Sequence, residues 1–392
     1  MVAVDIYAEL EALRSAGLYR ELRRVENQQG PILLIGGREV INFSSNNYLG
    51  IANHPALAQA AKQAIDRYGC GSGASRLISG NMTLHEELET RLAQFKGTEA
   101  ALVFNSGFQA NTGILATLAG EADVILSDQL NHASIIDGCR LSRAQTLVYA
   151  HGDLDQLEAN LKNSRRARRR LIVTESIFSM DGDEAPLTDI VELAERHDAM
   201  VMVDEAHATG VFGVTGAGVV SKHGLGDRVF VQMGTLGKAL GAFGAYVAGS
   251  RALRELLINR CRSFIFTTAL PPAIMAMAIA AIGLIEREPE RRERLWENCG
   301  LLSRGLKRLG FGLNDCQSPI VPLIVGDAES CMELSQRLLE HGVFVQGIRP
   351  PTVPPGTSRL RITVMATHER RHIEKALEAF QESQAQNGGL LR

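Results

Sequence analysis

A lysine, an aspartate and a histidine follow two apolar runs in the middle of the chain. Residues 201–203 precede Asp204 and His207, and residues 229–231 precede Lys238. Because ligands of an open parallel sheet bind beyond the carboxyl ends of its strands, we expect these side chains to share one crevice. Partial burial among glycines favours the neutral lysine amine that forms a Schiff base. An aspartate can keep a pyridine nitrogen protonated, so the spacing predicts a site for pyridoxal 5′-phosphate.

Each of these residues alone has a simpler interpretation. Lys238 could be a surface lysine beside a flexible loop, and Asp204 could cap a helix. The run from Asp204 to His207 also matches the acidic nucleotide motif of helicases, but the chain contains no G-x-x-x-x-G-K-[ST] phosphate loop. The order of the residues, each after a predicted strand, favours the cofactor site.

Composition restricts the class of protein. A chain of 392 residues, 45% hydrophobic and 22% charged, is typical of a soluble globular protein with two domains. The net charge of −3 predicts neither nucleic acid nor an anionic membrane as partner. Six cysteines without metal-ligand spacing predict reduced thiols, no metal site and a cytoplasmic protein. The longest uncharged segment is broken by two prolines, leaving residues 273–285, too short to cross a bilayer.

Strand and helix patterns alternate along most of the chain. A leading helix is expected over residues 5–24 and a hairpin over 31–43, and alternation from 101 to 250 predicts an α/β fold. Its large domain should hold a doubly wound, mostly parallel sheet. A charged segment at 287–292 marks a boundary before a smaller C-terminal α+β domain. The expected divisions are 1–50, 51–286 and 287–392.

Two glycine-containing loops could bind an anion. Residues 69–76 form either a tight structural turn or a backbone nest, and the sequence does not separate the two. Residues 105–111 follow a buried strand and begin a helix, an arrangement that offers free backbone N–H groups to a phosphate. A simple strand-to-helix turn is the alternative for this second loop.

The motifs stand in an order that resembles one enzyme family. Asn46 with YLG, then GSGASRLISGN, NSGFQAN, NHASIIDG, ESIFSMDGD, VDEAHATGVFG and TLGKALG resemble the α-oxoamine synthases over nearly the whole chain to Thr367. The resemblance implies a fold-type-I pyridoxal-phosphate-dependent transferase that joins an amino acid to an acyl thioester. The late PPTVP segment is most similar to members that condense L-alanine with a pimeloyl thioester, on coenzyme A or on an acyl carrier protein.

The resemblance implies a role for each matching residue. Lys238 carries the cofactor and later removes the α-proton, Asp204 pairs with the pyridine nitrogen, and His207 donates to the phenolic oxygen. His132 stacks on the cofactor face. The other implied cofactor contacts are Gly107, Phe108, Ser179 and Thr235, with the Gly107–Phe108 turn and Thr235 on the phosphate side.

Further residues match substrate and subunit contacts in the family. Asn46 and Arg361 match the groups that hold the amino-acid carboxylate, and Arg20 and Thr352 match acyl-substrate positions. The family forms homodimers with the active site at the interface, reached from the neighbour by residues 71–75 and 267–268.

Three alternatives stay open. The first is the same chemistry with glycine and another acyl donor, as in glycine acetyltransferase or aminolevulinate synthase. The second is an aminotransferase on the same fold, and the third is a cofactor-bound regulatory protein without turnover.

Overall fold

The computed structural model describes residues 5–385. Contacts divide the chain into two compact units. The larger unit comprises Leu49–Ser179 and Asp183–Arg292. The smaller unit comprises the described residues up to Tyr48, Met180–Gly182 and the described residues from Glu293 onward. The N-terminal segment thus belongs with the C-terminal residues, whereas the sequence division kept the two apart.

The strands are β1 (Ile32–Ile35), β2 (Arg38–Asn42), β3 (Ala100–Phe104), β4 (Val124–Asp128), β5 (Gln145–Tyr149), β6 (Arg170–Glu175), β7 (Met200–Asp204), β8 (Val231–Thr235), β9 (Ala245–Gly249), β10 (Ile320–Gly326), β11 (Val343–Phe344), β12 (Gly347–Ile348) and β13 (Ser358–Thr363). The α-helices are α1 (Ile6–Ser15), α2 (Pro55–Tyr68), α3 (Thr83–Lys96), α4 (Gly107–Leu118), α5 (Ala133–Ser142), α6 (Leu154–Asn163), α7 (Leu187–Arg196), α8 (Val219–Lys222), α9 (Arg251–Arg260), α10 (Arg262–Ile265), α11 (Pro272–Arg287), α12 (Glu290–Arg308), α13 (Ala328–Glu340) and α14 (Arg370–Ala385). A π-helical turn spans Arg76–Gly80.

A seven-stranded sheet in the order β3-β9-β8-β7-β6-β4-β5 forms the centre of the larger unit. The strands from β4 to β8 pair in parallel, and β9 runs antiparallel to both β8 and β3. Parallel strands are covered on both faces, which explains the continuous apolar runs that identified them in the sequence. The predicted α/β fold with a mostly parallel sheet is confirmed.

Helices α4 and α5 pack together on one face of this sheet. Their contact with the strands forms a buried core, which includes Leu102, Ile114, Leu115, Ile125, Ile135, Val173, Met202 and Val231. A packed core holds the elements around it in fixed positions. The first residues of α4 and α5 are therefore held against the strands.

Two three-stranded sheets form the smaller unit, in the orders β1-β2-β11 and β10-β13-β12. The predicted hairpin is present, with Gly36 and Gly37 at φ values of 58° and 74° in its turn. Glycine suits this turn because both positions need a positive φ. Strand β11 pairs in parallel with β2, which attaches the hairpin to the C-terminal residues.

The leading helix was predicted too long. Helix α1 ends at Ser15 instead of continuing to residue 24, and Gly17 has a φ of 66°. A glycine in the left-handed region is a common helix terminator. The N–H of Leu18 then bonds to the carbonyl of Leu13 at 2.8 Å, and Leu22 is fully exposed. Among the described residues, no helix has both the length and the apolar character that a bilayer span requires.

Candidate active site

Asp204 is the last residue of β7 and is buried. Its Oδ1 accepts a hydrogen bond from the N–H of Ala206 at 2.8 Å, and its Oδ2 accepts one from Asn111 Nδ2 at 2.8 Å. The carboxylate is therefore fixed from two sides, by the turn that follows it and by helix α4. A charge-assisted pair of this kind holds an acceptor in one orientation.

Lys238 lies three residues beyond the end of β8, in a turn closed by main-chain bonds. The N–H of Leu236 bonds to the carbonyl of Gly244, and that of Gly241 bonds to the carbonyl of Lys238, both at 2.9 Å. Gly241 is required there, because its φ is 60° and a Cβ would lie 2.6 Å from the nitrogen of Ala52. The main-chain bond between Gly241 and Lys238 closes this turn, and glycine at position 241 makes it possible.

The turn after β8 brings Lys238 to the histidine that follows β7. Lys238 Nζ lies 2.8 Å from His207 Nε2, and His207 is buried. The side chains that follow β7 and β8 therefore lie next to each other, as the positions of the two strand ends predicted.

The first turn of helix α4 begins beside the end of β8. Ser106 caps the helix by accepting from the N–H of Gln109 at 3.2 Å. Among the described residues, the N–H groups of Gly107 and Phe108 have no main-chain or side-chain acceptor. A Cβ on Gly107 would lie 2.9 Å from Cγ2 of Thr235, so glycine lets the helix approach that strand end. Two free amides at a helix N-terminus suit a phosphate.

His132 precedes helix α5 and is exposed on part of its surface. Its Nδ1 lies 2.8 Å from Ser134 Oγ and accepts from the N–H of Ser134 at 3.2 Å. Desolvation of its buried part lowers the pKa of His132; Asp204 opposes that shift and the Lys238 cation adds to it. A neutral imidazole with one open face is suited to stack on a flat ring.

Glu175 was not identified from the sequence as a site residue. It ends β6, pairs in register with Asp204 on β7 and is buried. The nearby backbone N–H groups of His132 and Ser179 act to lower the pKa of its carboxyl group. Burial, and then the charge of Asp204, raise the pKa of Glu175 to about 8, while Lys238 acts in the opposite direction. The sequence contained one indication that Glu175 is a site residue, because this acid begins the ESIFSMDGD motif at the end of an apolar strand.

Asn111 and Ser134 were also missed as site residues. Both are buried, and Asn111 Nδ2 lies 2.9 Å from Ser134 Oγ as well as 2.8 Å from Asp204 Oδ2. Each stood inside a quoted motif, NSGFQAN or NHAS, but neither residue type alone indicates a role. Ser179, which was predicted, is buried in the loop after β6.

An ion pair lies behind the Asp204 turn. Lys96 Nζ donates to Glu205 Oε2 and to the carbonyl of Ala217, and both charged side chains are fully buried. Glu205 Oε1 accepts from the N–H of Val220 at 2.8 Å. Burial acts to lower the pKa of Lys96, but the Glu205 carboxylate and the Tyr246 hydroxyl raise it above its usual value.

Asn46 and Arg361, both in the smaller unit, contact each other. Arg361 Nη1 donates to Asn46 Oδ1 at 3.1 Å, and Arg361 Nη2 lies 3.4 Å from the Tyr48 hydroxyl. Tyr48 in turn donates to Asn46 Oδ1 at 3.1 Å. Strand β13 carries the buried Arg361, so a rigid element presents the guanidinium group. Tyr48 was quoted in the YLG motif but was given no role.

Arg20 and Thr352 lie on exposed parts of the smaller unit. Arg20 Nη2 donates to the carbonyl of Pro350 at 3.5 Å, and the N–H of Thr352 bonds to the carbonyl of Arg349 at 3.2 Å. The two predicted acyl-substrate positions therefore contact the same segment.

The glycine-rich loop after α2 packs against the segment that precedes helix α11. Ser75 forms a bridge with Thr268, Ser72 Oγ donates to the carbonyl of Leu270 at 2.6 Å, and the N–H of Ala269 bonds to the carbonyl of Ala74 at 3.0 Å. Residues 71–75 and 267–270 thus contact each other within the larger unit.

The residues at the strand ends of the larger unit fit pyridoxal 5′-phosphate. Lys238 supplies an amine for the aldehyde, Asp204 an acceptor for the ring nitrogen, and the first turn of α4 two amides for the phosphate. Two buried polar atoms here, Glu175 Oε1 and Asn111 Oδ1, have no hydrogen-bond partner among the described residues. Buried polar atoms are rarely left unpaired in a finished core, which favours a polar ligand at this edge.

Comparison with known proteins defines the class. The model of the aminotransferase class I and II family matches residues 38–380, and the chain belongs to this family. Curated relatives include the 8-amino-7-oxononanoate synthase of Geobacter sulfurreducens, 54% identical over 96% of this chain and 97% of that protein. The protein of the same name from Symbiobacterium thermophilum is 54% identical over 95% of both chains.

Solved structures agree with this family. Serine palmitoyltransferase from S. paucimobilis, solved with a bound PLP–myriocin aldimine, has a TM-score of 0.93 and 35% identity over 98% of both chains. The 8-amino-7-oxononanoate synthase of Francisella tularensis has a TM-score of 0.77 and 29% identity, covering 89% of this chain and 99% of that one. The predicted family and the fold-type-I architecture are confirmed.

Proposed function

We propose that this chain catalyses the decarboxylative condensation of L-alanine with a pimeloyl thioester, with pyridoxal 5′-phosphate as its cofactor. This is the reaction for which 8-amino-7-oxononanoate synthases of biotin biosynthesis are named. Relatives with that name are 54% identical over nearly their whole length, so the whole chain takes part in the comparison. The observation that carries the proposal is the lysine at the strand ends, with Lys238 Nζ 2.8 Å from His207 Nε2.

The larger unit supplies the groups for proton transfer. When bound, pyridoxal 5′-phosphate supplies an electron sink for a carbanion beside the amino group. Lys238 would be the amine that holds the cofactor and the base that takes the proton from alanine Cα. Asp204, oriented by Asn111 and Ala206, accepts the ring N–H, and His207 lies beside the lysine amine.

The reaction then forms one carbon–carbon bond and releases a thiol and carbon dioxide. Alanine Cα forms a bond to the thioester carbonyl carbon and the thiol leaves. The carboxylate carbon next departs as carbon dioxide, and a proton returns to the α-carbon. We assign Asn46 and Arg361 to the amino-acid carboxylate, because a planar guanidinium can bind a carboxylate through two hydrogen bonds. We assign Arg20 and Thr352, which contact one segment, to the acyl substrate.

The proposal includes a homodimer in the cytoplasm. Two exposed apolar side chains lie close in sequence to residues 71–75 and 267–270, the two segments that contact each other. Ile78 is 80% exposed and Phe266 70% exposed, and exposed apolar side chains that form one patch mark interaction sites. All six cysteines are free, as expected in a reducing compartment. Light scattering of the purified protein checks the dimer.

Serine palmitoyltransferase is the second candidate, because its structures match with a TM-score of 0.93. Its sequence identity of 35% is well below the 54% of the synthases, so we place L-alanine and pimeloyl thioester first.

The test is a product assay with purified protein. The protein is incubated with pyridoxal 5′-phosphate and paired substrates: L-alanine, glycine or L-serine with pimeloyl-CoA, pimeloyl-acyl carrier protein, acetyl-CoA or palmitoyl-CoA. Mass spectrometry should detect 8-amino-7-oxononanoate and one carbon dioxide per turnover only with alanine and a pimeloyl thioester. Product from glycine or serine at a higher kcat/KM would contradict the proposal.

A further inference from the structure

A chain of hydrogen bonds joins Asp204 to the imidazole of His132. Asn111 Nδ2 lies 2.8 Å from Asp204 Oδ2 and 2.9 Å from Ser134 Oγ, and Ser134 Oγ lies 2.8 Å from His132 Nδ1. Asn111 and Ser134 are each 1% exposed, so water does not compete for these contacts. The path runs from strand β7 through helix α4 to helix α5.

Donors and acceptors along this path can be arranged in one way only. A carboxylate only accepts, so Asn111 must present its amide N–H groups to Asp204 and, with the second, to Ser134 Oγ. The hydroxyl proton of Ser134 is then left for His132 Nδ1. The backbone N–H of Ser134 also donates to that nitrogen, at 3.2 Å. Nδ1 therefore receives two donors and carries no proton, so the neutral ring has its proton on Nε2.

We propose that Asn111 and Ser134 are positioning residues that hold His132 as the Nε2–H tautomer and hold Asp204 in one rotamer. The proposal deepens, and rests on, the proposed function, in which Asp204 accepts the ring N–H of the cofactor. Nε2 forms no hydrogen bond with any described residue, and His132 is exposed. The tautomer leaves Nε2–H as the donor that the ring offers to a bound substrate. Asp204 and His132 are thereby linked, so a change at one alters the hydrogen bonds of the other.

The first test is a spectroscopic one that needs no turnover. Protein labelled with ¹⁵N-histidine is compared as wild type, Ser134→Ala, Ser134→Thr and Ser142→Ala, with His132→Gln to assign the resonance. Ser142 is the matched control, because it is a buried hydroxyl on the same helix that donates to the carbonyl of Cys139 instead. The wild type and Ser142→Ala should show unprotonated Nδ1 and protonated Nε2.

Ser134→Ala should mix the two tautomers and raise the pH at which His132 protonates, because Nδ1 loses a donor. Ser134→Thr retains the hydroxyl and should restore the wild-type spectrum. Turnover should fall about tenfold in Ser134→Ala, the effect of one lost hydrogen bond, and recover in the threonine variant. An Nδ1–H tautomer in the wild type, or an identical His132 resonance in Ser134→Ala, would overturn the proposal.

Asn111→Ala tests the other end of the path. It should weaken binding of pyridoxal 5′-phosphate about tenfold, because Asp204 loses a charge-assisted hydrogen bond. The His132 resonance should also shift, since Ser134 Oγ loses its donor. Unchanged cofactor binding and an unchanged resonance would overturn the proposal. The two proposals can also fail separately. If the NMR results are as predicted but the protein makes no product from alanine and a pimeloyl thioester, the hydrogen-bond path is supported and the proposed reaction is contradicted.

Discussion

Two acidic residues adjacent in the chain, Asp204 and Glu205, lie in opposite kinds of surroundings. Asp204 ends β7 and Glu205 directly follows it, and the two carboxylates contact different parts of the chain. Glu205 meets the buried Lys96 ammonium and the N–H of Val220. Asp204 meets Asn111 and lies in register with Glu175.

The difference lies in how completely each cluster satisfies its own polar groups. Both oxygens of Glu205 have partners within the chain, and its charge is paired. Beside Asp204, in contrast, Asn111 Oδ1 and Glu175 Oε1 have no hydrogen-bond partner among the described residues. A complete buried network serves the fold, whereas an incomplete one costs stability and is kept where a ligand completes it. The comparison predicts that changes in the two clusters act on different properties.

Lys238→Ala should give the largest effect, and on activity alone. The variant loses the amine that holds the cofactor and the base that moves the proton, so turnover should fall by more than about 10⁴-fold. The visible absorbance of lysine-bound cofactor should disappear, while the Tm of the cofactor-free chain should stay within the error of the wild type. Lys222→Ala is the control, since Lys222 forms a surface ion pair with Glu184. A Lys238→Ala protein that keeps the absorbance would remove the assignment of this lysine.

Lys96→Met should act on stability instead. Removing one partner of a buried ion pair typically costs about 3–5 kcal/mol, because the other charge stays buried without compensation. The double variant Lys96→Met/Glu205→Gln should recover much of this loss, because it removes that charge and keeps an acceptor for Val220. Urea unfolding measures the free energies, and cofactor absorbance at low temperature should persist. Normal stability with lost cofactor binding would reverse the comparison.

The sequence predicted the parts of the site that depend on strand ends. Asp204, His207 and Lys238 each follow an apolar run, and parallel strands bring their carboxyl ends to one edge, so the proximity of His207 and Lys238 could be derived without coordinates. The first turn of α4 could be expected for the same reason, because Gly107 comes directly after a buried strand. The roles of His132, Asn46 and Arg361 came from family resemblance and not from pattern.

Residues that act through tertiary contacts could not be predicted in this way. Lys96 lies at the end of an ordinary amphipathic helix, and its partner Glu205 is 109 residues away. A half-buried cluster, in which His151 bonds to Asp128 at 3.0 Å and to Asp183 at 2.7 Å, likewise joins three separate segments. No local period or spacing indicates such pairs. The end of α1 was missed for another reason, because Gly17 was given less weight than the apolar spacing that continues past it.

Glu175→Gln should give the smallest effect of the three near pH 5, and its effect should grow as the pH rises. In the folded chain the pKa of Glu175 is raised from 4.5 to about 8, chiefly by burial and then by Asp204. Between these two pH values the folded chain keeps a proton that the unfolded chain has released. Stability from this group is therefore full below about pH 4.5, falls as the pH rises towards 8, and is constant above.

The wild type should lose stability relative to Glu175→Gln across this window, by at most about 1.4 kcal/mol per pH unit, because glutamine cannot ionise. Urea unfolding of both cofactor-free proteins at pH 5, 6, 7 and 8 gives the difference. Glu205→Gln is the matched control directly after the neighbouring strand, and it should destabilise the chain throughout this range because the Lys96 ammonium loses its partner. If the difference between wild type and Glu175→Gln did not change with pH, Glu175 would be ionised in the fold. The contrast between the two clusters would then rest on Asn111 alone.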